Sequence, residues 1–451
     1  MTYNTPNSSL LELNITRLGG MGDGIAEHDG KPVFVQFTCV GDVIKAKITK
    51  QTKSEIRAEL HSIITPSPNR QKPPCEHFSI CGGCSLQHLN PPTYNAFKQS
   101  MLSSFIYGIG VDASVIEPMV EIKAQSRRRV EFKIVITNNA RNNDVKNNDN
   151  NIQVGFFASK SHDLVDVNQC PISDPALLAP LASFKETLKR LKSANRLNAI
   201  SLTALQNGLD VIIKCNAPLA KPDIEILVEF AKKNGIIRLH TQIKTHYESR
   251  QHSTPPEPTC LYDEGNATIN FAGIDVELPA NAFLQATKAG QEAITKLVVE
   301  HLHGCQYIAD LYSGCGTYGF ALIKQSQRVA AYEGAAEMSA AMNDACVRSG
   351  LDGKMATTVR DLFTDPLTKK ELFHFDGLVI NPPRNGALPQ IVNISKSNVK
   401  KVVMVSCNPE TFKRDAKELL QGGYKLTSIT PIDQFYWSSH LELVALFVKN
   451  N

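Results

Sequence analysis

The chain has 451 residues, a formal net charge of +4 and 20% charged residues. This length exceeds the ~250–300 residues at which one hydrophobic core stops growing, so it excludes a single small module and predicts two or three domains. A hydrophobic content of 42% without an apolar run long enough to cross a bilayer argues against a membrane protein, and the polar N-terminus lacks a secretory pattern, so we expect a cytoplasmic location.

The first predicted elements, over residues 10–64, are short strands separated by glycine-rich turns. Apolar and polar residues alternate in LLELNITRL and in PVFVQFTCVGDVIKAKI, which is typical of half-buried antiparallel strands. We therefore predict a small antiparallel β-barrel. Its basic and acidic residues balance, so charge does not distinguish a nucleic-acid module from a generic small β-domain.

A cysteine cluster follows a proline-rich connector, TPSPNRQKPP. Cys75, Cys81 and Cys84 lie within ten residues, and Cys170 in NQCPI is a candidate fourth ligand. Eleven cysteines are too few for a disulfide scaffold of this length, so the cluster indicates a metal or iron–sulfur site. Thiolate ligands suit zinc as well as an iron–sulfur cluster, and the spacing does not decide between them.

The middle of the chain mixes strand and helix patterns. Helical spacing in YNAFKQSMLSSFI precedes it, and Arg127, Arg128 and Arg129 lead into an alternating strand, EFKIVIT. An arginine run is either a solvated face or a set of phosphate-binding groups. The asparagine-rich NNARNNDVKNNDNN predicts a mobile surface insertion, and STPPEPT a second irregular stretch.

From about residue 280 onward, strands alternate with helices. The predicted strands are YIADLY, RVAAYEG, ATTVRDL, GLVI and KVVMVS, followed by a closing hairpin-like pair. Apolar strands that alternate with helices predict a parallel sheet covered on both faces. Such sheets bind ligands beyond the carboxyl ends of their strands, so this is the candidate catalytic domain.

A glycine motif lies between the first strand of this domain and its helix. Gly314, Gly316 and Gly319 in DLYSGCGTYG allow a tight turn and a close backbone approach to a ligand. Glu333 ends the next strand, where a carboxylate can bind ribose hydroxyls, and Asp361 is placed to meet an adenine amino group. The motif does not separate a dinucleotide from S-adenosylmethionine, and a purely structural turn stays an alternative.

Three further strand ends carry candidate residues. Asn381 and Arg384 lie in the stiff turn NPPR, and Cys407 leaves an apolar strand in SCNP, where a thiolate would meet a substrate. Glu442 in HLEL is a candidate base, with an exposed alternate strand residue as the plainer alternative. The plainer alternative for Cys407 is a small buried apolar residue.

Taken together, these motifs resemble the bacterial 23S rRNA uracil-C5 methyltransferase family, which is related to the tRNA uracil-54-type enzymes. The resemblance covers nearly the whole chain and rests on CxxxxxCGGC, a later CP cysteine, FLQ, DLYSGCGTYG, the proline turn, SCNP and HLEL. It implies an α/β multidomain protein with a TRAM-type, OB-like barrel at residues 1–66. It further implies a central α+β domain at 67–275 with an iron–sulfur cluster, and a Rossmann-like class I methyltransferase domain at 276–451. A helix at about 93–120 would pack on the C-terminal domain.

The resemblance also implies roles for individual residues. Cys407 would be the nucleophile that adds to carbon 6 of uracil, and Glu442 the base that removes the carbon-5 proton. Phosphates of the RNA would meet Arg384 and the three arginines at 127–129. A [4Fe-4S] cluster would be bound by the four cysteines, in a structural or RNA-positioning role. The S-adenosylmethionine contacts would be Gln285, Tyr312, Gly314, Thr317, Glu333, Asp361 and Asn381.

Two residues depart from the family pattern. Thr317 stands where the family more often has asparagine, and Asn381 stands where the pattern DPPR has a carboxylate. An amide donates a hydrogen bond where a carboxylate only accepts, so the Asn381 contact to uracil or cofactor differs from that of its relatives.

Other interpretations stay open. A radical enzyme needs an iron left open by three-cysteine ligation, whereas Cys170 would supply a fourth ligand. An amino-group methyltransferase normally has an aromatic residue after the prolines, where this chain has Arg384. A tRNA methyltransferase, a dehydrogenase and a non-catalytic RNA-binding or ribosome-assembly factor complete the alternatives. The expected partner is 23S rRNA, free or partly assembled, and the expected oligomeric state is a monomer.

Overall fold

The computed structural model describes residues 10–138, 150–159, 161–243, 257–265 and 267–450. Residues 139–149 of the asparagine-rich stretch and 253–256 of STPPEPT lie outside the described residues, so the predictions for them stay predictions. The chain forms two compact units. The first contains the described parts of residues 1–105, 157–165 and 435–440, and the second contains those of 106–156, 166–434 and 441–451.

The first unit begins with a six-stranded sheet in the order β1-β5-β6-β4-β3-β2. Its strands are β1 (Leu11–Asn14), β2 (Arg17–Leu18), β3 (Gly24–His28), β4 (Lys31–Val35), β5 (Val43–Gln51) and β6 (Ile56–Thr65). Alternate residues such as Val33, Val35, Ile44 and Ala46 are fully buried and form its core. All pairs are antiparallel, as predicted, except β4 with β6, which is parallel. After β4 the chain crosses the sheet, so β5 pairs with β1. Strand β6 then lies between β5 and β4.

Helix α1 (Pro91–Tyr107) follows the cysteine segment, where helical spacing was predicted. The Thr93 N–H donates to Asn90 Oδ1 at 3.0 Å and caps its first turn. The helix ends well before residue 120, the end expected from the resemblance, because the chain turns at Gly110, whose φ is 77°. A short 3₁₀ turn at Ala113–Val115 comes next.

Residues 435–440 are part of the first unit although they lie near the end of the chain. The Trp437 carbonyl accepts the N–H groups of Ser85 and Leu86, each at 3.0 Å, and the Trp437 N–H donates to Tyr94 Oη at 3.1 Å. The buried Lys98 ammonium donates to the His440 carbonyl at 2.6 Å. This late segment is therefore built into the first unit by main-chain hydrogen bonds.

A seven-stranded sheet lies in the middle of the chain, in the order β10-β9-β8-β11-β12-β13-β14. Its strands are β8 (Arg129–Asn138), β9 (Asn150–Phe157), β10 (Leu164–Asp166), β11 (Leu197–Ala204), β12 (Leu209–Cys215), β13 (Ile236–Ile243) and β14 (Thr259–Asp263). Its helices are α2 (Pro175–Leu178), α3 (Leu181–Arg190) and α4 (Lys221–Lys233), with a 3₁₀ turn at Ala194–Arg196. Phe184 and Phe230 from α3 and α4 pack in its core. The mixed α+β pattern predicted for this region is confirmed.

The C-terminal sheet has eight strands in the order β19-β18-β17-β20-β21-β23-β22-β7. Its strands are β7 (Val120–Glu121), β17 (Tyr307–Leu311), β18 (Arg328–Glu333), β19 (Met355–Val359), β20 (Gly377–Ile380), β21 (Lys401–Ser406), β22 (Tyr424–Asp433) and β23 (Glu442–Lys449). A separate hairpin is formed by β15 (Thr268–Phe271) and β16 (Ile274–Glu277). The helices are α5 (Lys288–His301), α6 (Gly319–Leu322), α7 (Ala336–Arg348), α8 (Lys369–Leu372), α9 (Leu388–Ser395) and α10 (Pro409–Gln421).

The predicted parallel sheet is confirmed. Strands β17 to β21 pair in parallel, and β23 runs antiparallel between β21 and β22. Every residue of β20 is buried, as expected for a strand covered on both faces. The strand order reverses between β17 and β20, and ligands of open α/β sheets bind at such a switch point.

Candidate active site

Two neighbouring parallel strands end at the candidate site. Strands β20 and β21 pair with Ile380 opposite Met404. Asn381 directly follows β20, and Cys407 directly follows β21. Because carboxyl ends of parallel strands meet at one edge, the structure brings these two predicted residues to the same edge of the sheet.

The loops that carry these residues are bonded to each other. Asn408 caps helix α10 by accepting the Glu410 N–H at 3.1 Å, and its side-chain amide donates to the Arg384 carbonyl at 2.9 Å. The Thr411 hydroxyl donates to the same carbonyl at 3.2 Å. The proline turn and the cysteine turn therefore hold a fixed arrangement.

Opposing charges act on Cys407, which is half-buried. Burial raises the pKa of its thiol above the usual value, and the Glu442 charge raises it further, whereas the Arg384 guanidinium lowers it. The thiolate is the nucleophilic form of cysteine. Arg384 therefore favours the reactive form of the predicted nucleophile.

Glu442 is the first residue of β23 and lies opposite Ile432 of β22. It is only 3% exposed, so the alternative of an exposed strand residue is wrong. Burial raises the pKa of its carboxyl group to about 7, although a hydrogen bond from Gln434 and the Arg384 charge both lower it. A carboxyl group that titrates near neutrality is suited to accept and release a proton.

A chain of buried polar side chains connects Glu442 to Asn381, and we call it the amide network. The Gln434 Nε2 donates to Glu442 Oε2 at 2.9 Å and to Gln285 Oε1 at 2.7 Å. The Gln285 Nε2 donates to Tyr318 Oη at 3.4 Å, and Asn381 Nδ2 donates to the same oxygen at 3.2 Å. The network joins five places in the second unit: the loop before α5, the glycine turn, the ends of β20 and β22, and the start of β23.

The glycine motif forms a tight turn after β17. Tyr312, Gly314 and Gly316 have φ values of 58°, 57° and 90°. The Gly314 N–H donates to Glu333 Oε2 at 2.8 Å, and the Ala335 N–H donates to Glu333 Oε1 at 2.9 Å. A Cβ on Gly314 would meet no atom within 4 Å, so space next to this turn is open. The structure thus brings Gly314 and Glu333 together, as predicted, and leaves room beside them.

The Tyr312 hydroxyl near this turn has no hydrogen-bond partner among the described residues. The buried carboxylate of Asp310 makes no hydrogen bond of normal geometry there, although it interacts with the Gly319 N–H. Burial raises the pKa of Asp310 to about 8, whereas the Gly319 N–H lowers it. Thr317 follows in the same loop and is half-buried.

Asp361 lies in the exposed loop after β19. Its Oδ2 accepts the Thr364 hydroxyl at 2.8 Å and its Oδ1 accepts the Phe363 N–H at 2.9 Å, and these bonds lower the pKa of Asp361. The Phe363 ring lies 6.2 Å from the Tyr312 ring, centroid to centroid. The aromatic contact connects this loop to the glycine turn.

The arginines at 127–129 lie in different environments. Arg128 is 6% exposed; its Nε donates to the Gln285 carbonyl at 2.9 Å and one NH₂ group to Gln291 Oε1 at 2.7 Å. Arg129 is half-buried and donates to the Ala282 carbonyl at 3.1 Å. Arg127 is half-buried as well, and Arg384 is exposed. The structure does not favour the predicted phosphate contact for Arg128, because its guanidinium supports the main chain at Gln285.

The predicted cysteine ligands fall in both units. Cys75, Cys81 and Cys84 belong to the first unit and Cys170 to the second, and all four are half-buried. The Gly83 N–H donates to Cys81 Sγ at 3.4 Å. In the described part of the chain, no group of three or more His, Cys, Asp or Glu side chains is arranged to hold a metal ion. The metal site therefore stays a prediction.

Sequence reasoning missed Tyr318, Gln434 and Asp310. Tyr318 was a spacer inside the glycine motif, and Gln434 is one of two polar residues after an apolar strand end, ITPIDQ. Asp310 lies in the predicted apolar strand YIADLY, and a carboxylate inside such a strand was the available signal of a functional residue. None of these patterns indicates a hydrogen-bond network, since the partners come from distant segments.

When β17 to β23 are numbered 1 to 7 in chain order, these strands lie in the sheet as 3-2-1-4-5-7-6. This order, with a glycine turn after strand 1 (β17) and an acidic residue at the end of strand 2 (β18), defines a class I methyltransferase fold. The solved tRNA (uracil-54, C5)-methyltransferase of Pyrococcus abyssi, in complex with S-adenosyl-L-homocysteine, has a similar fold with a TM-score of 0.73. It is 21% identical, and the alignment covers 97% of this chain and 99% of that one.

Sequence comparison is more specific. Residues 268–450 match the profile of the tRNA (Uracil-5-)-methyltransferase family, and residues 8–60 match the TRAM domain. An uncharacterized RNA methyltransferase of Mesorhizobium japonicum is 34% identical over 96% of this chain and 97% of its own length. The 23S rRNA (uracil(1939)-C(5))-methyltransferase RlmD of Shewanella amazonensis is 30% identical over 98% of this chain and 96% of its own length. The chain belongs to the RNA (uracil-5)-methyltransferase family and carries an N-terminal TRAM domain.

None of the described helices is both long and apolar enough to span a membrane.

Proposed function

We propose that this protein methylates carbon 5 of a specific uridine in 23S rRNA and uses S-adenosylmethionine as the methyl donor. The observation that carries the proposal is the pairing of a half-buried cysteine, Cys407, with a buried carboxylate, Glu442, at the carboxyl edge of a class I methyltransferase sheet. The similarity to a 23S rRNA enzyme over nearly the whole length supports ribosomal RNA as the substrate.

The proposed chemistry uses both residues in turn. Carbon 5 of uracil is a weak nucleophile, so the Cys407 thiolate first adds to carbon 6, which breaks the C5–C6 π-bond and forms an enolate. Carbon 5 of the enolate then bonds to the methyl group of the donor as the methyl–sulfur bond breaks, and S-adenosylhomocysteine is the leaving group. The Glu442 carboxylate takes the remaining carbon-5 proton, the electron pair restores the C5–C6 double bond, and the C6–S bond breaks to return the thiolate.

The glycine turn and its neighbours suit an adenosyl group. The open space beside Gly314, the Glu333 carboxylate next to the turn and the Tyr312 hydroxyl, which has no hydrogen-bond partner in the described part of the chain, together offer contacts to a polar ligand. We propose that Gln285, Tyr312, Gly314, Thr317, Glu333, Asp361 and Asn381 line the donor site. The bound donor supplies an electrophilic methyl group, and these residues orient it.

Recognition of the RNA requires more than the catalytic domain. The target uridine must leave its stack, which costs a few kcal/mol and must be offset by contacts elsewhere on the RNA. We propose that the domain at residues 1–66 and the side chains of Arg127, Arg129 and Arg384 provide them. In this proposal the protein acts as a monomer on free or partly assembled 23S rRNA. The two domains that follow residues 1–66 extend over residues 67–275 and 276–451.

We also propose a [4Fe-4S] cluster on Cys75, Cys81, Cys84 and Cys170. The donor set fits, because four thiolates are the usual ligands of such clusters, but the described side chains are not arranged as a metal site. Methyl transfer needs no redox step, so the cluster would be structural or position the RNA. Iron and acid-labile sulfide at about four per chain after anaerobic purification would support it, and their loss in Cys170→Ala would support the fourth ligand.

The test of the main proposal is to map 5-methyluridine in 23S rRNA and tRNA from cells with and without the gene. Loss at one 23S uridine supports the proposal, whereas loss in tRNA instead identifies a tRNA enzyme. In vitro, RNA containing 5-fluorouridine lacks the removable proton and should trap a denaturation-resistant adduct. Cys407→Ala should abolish the adduct and Cys260→Ala, at an exposed cysteine, should not. No adduct with 23S rRNA fragments or tRNA would contradict the mechanism.

A further inference from the structure

We propose that Gln434 is the positioning residue for the base of this active site: its side-chain amide holds the Glu442 carboxylate in the orientation that receives the carbon-5 proton. The inference rests on the proposed function, since that function assigns Glu442 as the base. It adds a residue that supports the proton-removal step without touching the substrate itself.

The contact to Glu442 is direct. Gln434 follows the last residue of β22, Glu442 begins β23, and Gln434 Nε2 lies 2.9 Å from Glu442 Oε2. Within the described residues this is the one hydrogen bond to the Glu442 carboxylate, and both side chains are at least 95% buried. A buried carboxylate with a single donor takes its orientation from that donor.

Gln434 is itself fixed from two sides. Its Nε2 also donates to Gln285 Oε1 at 2.7 Å, and Gln285 is held through Tyr318 in the amide network. On its other side lies Gly290, where a Cβ would stand 2.7 Å from Gln434 Oε1 and 3.0 Å from Gln434 Cβ. The absence of a side chain at Gly290 therefore provides the space that the Gln434 side chain occupies.

The charged and titratable groups that face Glu442 explain why the donor matters. Arg384 favours the carboxylate, whereas burial disfavours it, and the Cys407 thiol and the Tyr318 hydroxyl each interact with its charge. When the Gln434 donor is removed, Arg384 is the remaining described group that favours the ionised base. The carboxylate should then ionise at higher pH and lose its fixed orientation.

The experiment compares wild type with Gln434→Met, which keeps the side-chain length and removes the donor. Full-length protein is mixed with a 23S rRNA fragment and labelled S-adenosylmethionine under single-turnover conditions from pH 6 to 9. Two rates are measured: formation of the covalent adduct, which reports Cys407, and its breakdown to 5-methyluridine, which reports Glu442. We expect breakdown to slow about 10-fold at pH 7, the size of one charge-assisted hydrogen bond, with its acidic limb moved to higher pH. Adduct formation should change less than about 2-fold.

Gln390→Met is the matched control. Gln390 is fully buried, and its amide exchanges hydrogen bonds with the main chain of Leu367 rather than with the amide network. The Gln390→Met variant should leave both rates and the pH profile of adduct breakdown unchanged. Gly290→Ala is the second variant, for use if Gln434→Met does not fold. Its Cβ would stand 2.7 Å from Gln434 Oε1 and 2.7 Å from Thr287 Oγ1, the cap of α5, so it displaces Gln434 without removing it. It should shift the pH profile in the same direction.

Two results overturn the inference. One is equal slowing of both rates in Gln434→Met, as expected from general loss of structure. The other is an unchanged pH profile of adduct breakdown in the folded variant. In either case a wild-type adduct with 23S rRNA leaves the proposed function intact. A wild-type protein that forms no adduct overturns the proposed function, and this inference with it.

Discussion

At the scale of single residues, the buried carboxylate of Glu442 is held at a cost to stability. An acid whose pKa is raised in the folded state favours folding in its neutral form, and its ionisation opposes folding. The pKa of Glu442 rises from 4.5 to about 7 because of burial. The protein therefore loses stability through this group as the pH rises above about 4.5, and the loss is complete above about 7.

Glu442→Gln should consequently stabilise the protein, and more at pH 8 than at pH 5. The glutamine stays neutral at both values, so the gain at pH 8 should reach up to about 3 kcal/mol, the equivalent of the pKa shift. Urea unfolding at both pH values measures it, with the exposed Glu225→Gln as control. An equal change at both pH values would show that ionisation of Glu442 does not contribute. The variant should also fail to release methylated RNA.

Arg384→Gln tests the charge that acts on Cys407. Loss of the guanidinium should raise the pKa of the Cys407 thiol further, because Arg384 lowers it in the wild type. Alkylation of Cys407 by iodoacetamide at pH 8, followed by peptide mass spectrometry, should slow about 3- to 10-fold, since the thiolate is the reacting form. The exposed Cys260 in the same sample is the internal reference, and Arg328→Gln is the matched charge control. An unchanged rate at Cys407 would contradict the role of Arg384.

At the scale of elements, the glycine turn after β17 combines two constraints. Gly316 has a φ of 90°, and a Cβ there would stand 2.6 Å from the Phe320 ring. Gly314, by contrast, has open space beside it. Gly316 therefore serves packing, and Gly314 serves access to the turn.

Gly316→Ala should destabilise the protein by about 2–4 kcal/mol, the sum of backbone strain and overpacking, and should weaken binding of S-adenosylmethionine. Thermal unfolding and calorimetric titration measure the two effects. Gly353→Ala is the control, because its Cβ would meet nothing within 4 Å, and it should change stability by less than about 0.5 kcal/mol. Wild-type stability in Gly316→Ala would contradict the packing role.

The elements themselves were largely predictable. Strands β17, β20 and β21 appear as apolar runs because they are buried on both faces, whereas the edge strand β19 is mostly exposed. The closing hairpin was predicted as well. The extent of α1 was not, because the left-handed turn at Gly110 leaves little trace in the periodicity. The parallel pairing of β4 with β6 depends on where the chain crosses between strands, and alternation of residues does not record that path.

The candidate site was predictable in part. Cys407, Asn381, Glu333 and Gly314 lie at strand ends and turns, which local sequence reveals. Gln434 was not predictable, because its role depends on Gln285, far away in the sequence, and on the missing side chain of Gly290. The burial of Arg128 was not predictable for a related reason, since a run of arginines does not show which guanidinium turns inward.

At the scale of the whole molecule, RNA binding should depend on charge in the TRAM domain. Lys45 and Lys47 are exposed on one face of β5 while the residues between and beside them are buried or half-buried. Replacing both with glutamine should reduce the slope of log affinity against log salt by about 1.4–1.8, if each lysine contacts one phosphate. Lys288→Gln with Lys296→Gln on α5 removes the same charge elsewhere and should leave the slope nearly unchanged. Equal slopes in both double variants would contradict a phosphate-binding face on β5.

The segment at 435–440 also has a consequence for how the protein is made. The Trp437 main chain completes hydrogen bonds to Ser85, Leu86 and Tyr94, so the first unit needs a residue synthesised 343 positions after Tyr94. A ribosome synthesises the chain from the N- to the C-terminus, and domains generally fold as they emerge. The first unit therefore stays incomplete until residues 435–440 have emerged, and a product truncated before them leaves the Ser85 and Leu86 N–H groups without the Trp437 carbonyl.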